Sequence, residues 1–272
     1  MRYIPRMENP IIVASGLPRS GTSMLMQMLR AGGLPVVTDG VRAPDEHNSR
    51  GYFEDERVKS LEKNASWLFE ARGKAIKIVS PLLQYLPEGL SCVVLFMRRD
   101  LAEVTASQSR MLERLEAPPD ADFHDLETLL RAHLREVEQW IKDRPDTAGL
   151  FINHGEALRD PRRAAGTIRD FLQGLGLNVR LDVEAMAAAV DPAMQRQRAE
   201  ELDSKPQQSV LRLPASLYAR LEAAARSAGF DNTDDFAALL LEQALGPQPS
   251  AQSASQSEDQ AIRNRLQSLG YL

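Results

Sequence analysis

Gly16-Leu17-Pro18-Arg19-Ser20-Gly21-Thr22-Ser23 combines two glycines, one cation and three hydroxyls in a short stretch near the start of the chain. It follows the apolar run Ile11-Ile12-Val13-Ala14, which reads as a buried strand. Beyond it Met24, Leu25, Met28 and Leu29 mark one face of a helix that Gly32-Gly33 closes. A loop in that position aims backbone N–H groups and the positive end of a helix dipole at one point, which suits a phosphate-like anion. The spacing matches a nucleotide-triphosphatase loop at both glycines and at Ser23, but Thr22 stands where such a loop requires lysine and Arg19 is the cation instead. Hydrolysis of ATP or GTP is therefore disfavoured.

A second pair lies further on. Arg99 follows the apolar run from Val93 to Met97, and Ser107 comes eight residues later, after two turns of predicted helix. An arginine fork and a hydroxyl from the following helix can grip one terminal phosphate from two directions. Taken with the loop, these residues resemble the donor motifs of the sulfotransferase superfamily, whose members use 3′-phosphoadenosine 5′-phosphosulfate (PAPS). The resemblance implies that Pro18, Arg19, Ser20, Gly21, Thr22 and Ser23 hold the 5′-phosphosulfate and that Arg99 and Ser107 hold the 3′-phosphate. Arginine at position 19 is similar to the tyrosylprotein and several bacterial branches.

Two more stretches fit the same family. Lys77-Ile78-Val79-Ser80-Pro81 is similar to the cytosolic Lys-Thr-His-x-Pro pattern, which implies that Lys77 touches the transferring sulfonate. Val79 occupies the histidine's place, so a histidine base there is excluded. Leu150 to Pro161 resembles the segment whose tyrosine approaches adenine, with His154 in the tyrosine's position.

Sulfonyl transfer also needs a group to take the acceptor's proton, and positive groups to neutralise the transferring oxygens. Arg19, Lys77 and the loop N–H groups suit the second task. Carboxylate-using branches of the family place the base beyond the helix after the loop, where this chain has Asp39, Asp45, Glu46 and Glu54. Spacing from the loop favours Asp39, and the polar density around Asp45-Glu46-His47 favours Glu46, which takes first place with His47 as a replacement. His47, Arg50 and Tyr52 would then line the acceptor pocket.

Short β-branched runs alternating with amphipathic helices must position these residues. Strands are expected at Ile11 to Ala14, Ala75 to Val79, Val93 to Met97 and Leu150 to Ile152. Helices are expected at Leu101 to Leu115, Leu126 to Ile141 and Arg162 to Leu172. That alternation predicts an α/β fold of the P-loop type, a mostly parallel sheet flanked by helices, with a small, mainly helical C-terminal module. The sulfotransferase-like PAPS-binding domain covers residues 1–204. Residues 205–247 resemble a ribbon-helix-helix unit, with a ribbon at Val210-Leu211-Arg212-Leu213 and helices at Ala215 to Ala228 and Thr233 to Leu245. A flexible linker over 248–258, rich in Gln, Ser and Ala, leads to a C-terminal helix over 259–272 whose Ile262, Leu266 and Leu269 are expected to dock.

Composition sets the outer limits. The 272 residues carry a net charge of −5, and nucleic acid is disfavoured as a partner. The C-terminal module is itself acidic, so pairing of its ribbon into a homodimer is preferred to DNA binding. No run approaches the roughly 18 apolar residues of a membrane span, and the first residues lack a signal peptide's apolar core. A single cysteine, Cys92, and four scattered histidines leave no disulfide and no evident metal site, which suits the cytoplasm. The reading is thus a cytoplasmic, metal-free, PAPS-dependent sulfotransferase acting on a small-molecule, glycan or peptide acceptor through its hydroxyl or amine. Its rivals are a nucleotide-sensing DNA-binding regulator and a P-loop kinase.

Overall fold

The computed structural model describes residues 7–40, 53–114, 123–191, 214–227, 233, 237, 240 and 262–271. Four strands form one parallel sheet: β1 (Ile11–Gly16), β2 (Ala75–Lys77), β3 (Cys92–Arg98) and β4 (Thr147–Asn153). Their order is β2-β1-β3-β4, so the chain moves to one side of β1 and then to the other. A crevice at the carboxyl ends of β1 and β3 is the place where such a sheet presents ligands.

Both faces of the sheet are covered, which is why its strands read as unbroken apolar runs. Ile12, Ala14, Val93, Leu95 and Met97 face one core, shared with α1 (Thr22–Ala31), α5 (Pro161–Gly174) and α6 (Val183–Ala188). Ile11, Val13, Cys92, Val94 and Phe96 face the other. There they meet Val137 and Ile141 of α3 (Phe123–Asp143), three short 3₁₀ turns, and Ile262 and Leu266 of a C-terminal helix over 262–268. The helix α2 (Leu101–Arg114) follows β3 and packs on α3. Cys92 is buried in the sheet, and burial pushes its thiol pKa up.

The elements differ from the sequence expectation at their ends. β2 stops at Lys77 instead of Val79, because Ser80 and Pro81 open a 3₁₀ turn (Ser80–Tyr85). β4 begins at Thr147, three residues earlier than expected, because Thr147, Ala148 and Gly149 pair with Cys92, Val93 and Val94 of β3. Tertiary pairing there overrides weak strand propensity. Two helices of six residues, α4 (His154–Arg159) and α6, show no legible period in the sequence. Asn153 and Asp182 cap them, accepting N–H groups of Glu156 and Ala185.

The chain divides into two compact units, Met1–Lys205 with Ile262–Leu272, and Pro206–Ala261. In the second, the helix Ala215–Ser227 exposes Leu217 and Tyr218. The expected ribbon at Val210-Leu211-Arg212-Leu213, most of the helix from Thr233 to Leu245 and the linker over 248–258 lie outside the described residues.

Candidate phosphate-binding site

β1 ends in Gly16, whose φ of 153° and surroundings require glycine, since a Cβ there would meet Ser20 Oγ at 2.3 Å and the Met97 carbonyl at 2.7 Å. The loop then turns through Arg19 and Gly21, both in the left-handed region with φ of 71° and 100°. Gly21 is the N-cap of α1, and a Cβ on it would meet the His154 ring at 2.4 Å. His154, buried at the start of α4, therefore packs directly on the loop. The first turn of α1 has no side-chain cap and no acidic residue, which leaves its N–H groups suited to an anion. Ser20 Oγ is buried with no hydrogen-bond partner among the described residues. An orphaned hydroxyl, an uncapped helix start and a cradle that only glycine permits fit a phosphate or phosphosulfate group.

Side chains from α2 and from the link that precedes it fix this loop. Gln108 Nε2 donates to the Pro18 carbonyl at 3.0 Å, and Arg99 Nη1 donates to the Arg19 carbonyl at 3.0 Å. Arg19 Nε in turn donates to Ser107 Oγ at 3.1 Å. Left-handed backbone at a non-glycine residue costs on the order of 1–2 kcal/mol, and these contacts on both sides of Arg19 offset it. Arg99 Nε donates to Glu103 Oε2 at 3.0 Å, one turn along α2, and both side chains are nearly buried. The two arginines and the serine singled out by spacing thus form one connected group.

Lys77, at the carboxyl end of β2, is also buried. Its Nζ donates to Glu54 Oε1 at 2.8 Å and to Ser23 Oγ at 3.3 Å. A buried cation beside the helix start and a carboxylate beside that cation are the two parts a group transfer to an alcohol or amine requires.

The remaining sequence candidates divide into two groups. Asp39 lies in an exposed loop, where its Oδ2 accepts the Glu56 N–H at 2.6 Å and its own N–H donates to the Glu54 carbonyl at 3.1 Å. It braces the segment that carries Glu54. Glu46, His47, Arg50 and Tyr52 lie outside the described residues. Next to Glu54, Asp55 accepts two side-chain bonds from Arg57 and caps the 3₁₀ turn that follows. The Arg57 hydrogen bonds hold its carboxyl below the usual 3.8.

Two participants are absent from the motif reading. Gln108 sits one residue past Ser107, so its periodicity is that of an ordinary helix face. Glu103 is four residues after Arg99, a spacing that does signal a helical ion pair. Glu54, one of the four carboxylates named as candidate bases, meets Lys77 from another element, a contact that only the fold discloses.

No protein-family profile matches the chain, and no curated protein matches it. Among solved structures it is similar to mouse sulfotransferase SULT7A1 complexed with PAP, at TM-score 0.41 and 16% identity over 76% of this chain and 70% of that one. It is also similar to the sulfotransferase domain from the curacin biosynthetic pathway, at TM-score 0.40 and 15% identity over 83% of this chain and 99% of that one. Among the described residues no helix is long and apolar enough to cross a membrane, and no cluster of three or more His, Cys, Asp or Glu is placed to hold a metal ion.

Proposed function

We propose that this chain transfers a sulfonate group from PAPS to a hydroxyl or amine of an acceptor. The observation that carries the reading is the convergence of Arg19, Arg99, Ser107 and Lys77 on the carboxyl end of β1, where the start of α1 is uncapped. PAPS, when bound, supplies the sulfonate and leaves as adenosine 3′,5′-bisphosphate. The loop N–H groups with Ser20, Thr22 and Ser23 hold the 5′ end, Arg99 and Ser107 hold the 3′-phosphate, and His154 flanks the loop at Gly21.

The catalytic work falls to three side chains. Arg19 and Lys77 neutralise the charge that grows on the transferring oxygens. Glu54, at 2.8 Å from Lys77, receives the acceptor's proton as its oxygen or nitrogen attacks sulfur. Spacing favours Asp39 and polar density favours Glu46, and Glu54 takes the role here because, among the described residues, it is a carboxylate in contact with Lys77. Incubation with radiolabelled PAPS and a set of alcohols and amines tests the reading. Transfer by the wild type, reduced on the order of a hundredfold in Arg19→Ala and Lys77→Ala, is the expected result. Undiminished transfer by Lys77→Ala would contradict it.

The second unit is proposed to pair two copies of the chain. Leu217 and Tyr218 on the helix Ala215–Ser227 are 43% and 46% exposed, and a partner copy would cover them. The single buried cysteine is compatible with a reducing cytoplasm as the place of action.

A further inference from the structure

The segment over 262–271 is remote in sequence from the phosphate loop, yet one side chain separates them. Arg265 is buried, and its Nε donates to Gln108 Oε1 at 3.2 Å. Gln108 Nε2 donates in turn to the Pro18 carbonyl, immediately before the left-handed Arg19. At the other end of the segment, the Tyr271 ring lies 5.6 Å from Lys77 Nζ. Tyr271 lines a narrow cavity beside Lys77 together with Glu54, Val58, Val79 and Leu82. Gly270, with φ 77°, ends the helix and turns the chain so that Tyr271 N–H bonds back to the Leu266 carbonyl at 2.8 Å.

Packing alone does not call for this arrangement. Ile262, Leu266 and Leu269 already bury an apolar face, and a helix held only by burial gains more from an apolar residue at 265 than from a buried guanidinium. The charge is placed instead where it bonds Gln108, the side chain whose own hydrogen bond ends on the phosphate loop. We infer that the C-terminal segment is a working part of the site: Arg265 is a positioning residue that sets the loop through Gln108, and Tyr271 limits access to Lys77. The inference rests on the sulfotransferase reading only in taking the loop as the donor site.

Three measurements on the full-length chain test it. Amide hydrogen exchange at Arg19, Ser20 and Gly21, without any ligand, is expected to quicken in Arg265→Met, which keeps the packing volume but not the hydrogen bond. Affinity for adenosine 3′,5′-bisphosphate should fall about tenfold in Arg265→Met and in Gln108→Ala, with no further loss in the double variant, because the two residues act in series. Arg265→Lys should recover part of the loss. Labelling of Lys77 by trinitrobenzenesulfonate should be faster in Tyr271→Ala than in the wild type. Unchanged loop exchange in Arg265→Met, or additive losses in the double variant, would overturn the role of Arg265, and unchanged Lys77 labelling would overturn that of Tyr271. A wild type that fails to bind the bisphosphate would refute the sulfotransferase reading instead, while loop exchange and Lys77 labelling would still decide the inference.

Discussion

Arg19 is held from two directions, its carbonyl by Arg99 and its guanidinium by Ser107, and that changes what each substitution removes. Arg99→Ala should cost more affinity for the bisphosphate than Ser107→Ala, since a charge-assisted fork outweighs a hydroxyl bond. Ser107→Ala should also lower turnover, because it releases the Arg19 side chain. Isothermal titration and initial rates on the same preparations separate the two effects. For the base, Glu54→Gln should reduce turnover by about 10²–10⁴-fold with donor affinity kept, and the acid limb of the pH–rate profile should flatten. Asp39→Asn should leave turnover within a few fold of wild type, as Asp39 acts on the Glu56 backbone. The opposite pattern, full rate in Glu54→Gln and a collapse in Asp39→Asn, would move the base to Asp39.

At the scale of elements, the loop between β1 and α1 is the least tolerant piece. Gly21→Ala places a methyl group against the His154 ring at a left-handed φ, so both thermal stability and bisphosphate affinity should drop. The 3₁₀ turn Glu56–Ser60, next to Glu54, depends on Asp55 instead. Its carboxyl is depressed by Arg57, so the stability it contributes is present above its ordinary value of 3.8 and disappears as pH falls through the lowered one. Melting curves of the wild type and Asp55→Asn should differ near neutrality and converge in acid. These elements also show what the sequence discloses. Ile11 to Ala14 and Val93 to Met97 are legible as central strands because both faces are buried and every residue is apolar. Thr147 to Gly149 are strand only because β3 lies beside them, and Glu54 joins Lys77 only through a tertiary contact between residues 23 positions apart. Motif spacing carries information within one strand-loop-helix unit and loses it between units.

For the whole molecule, the C-terminal segment changes how a truncation behaves. A chain ending at Asp203 would lose Ile262, Leu266 and Leu269 from the first unit's core and should melt at a lower temperature, so it is a poor test of pairing. Charge introduced on the second unit is a cleaner one: Leu217→Lys with Tyr218→Glu should turn a light-scattering dimer into a monomer while bisphosphate binding persists. A wild-type monomer at micromolar concentration would reject the pairing. The central claim concerns the donor, and it is tested most directly by calorimetric titration of the full-length protein with adenosine 3′,5′-bisphosphate and with AMP. Clear preference for the bisphosphate, erased by Arg99→Ala, is the predicted result; equal affinity for the two nucleotides would contradict it.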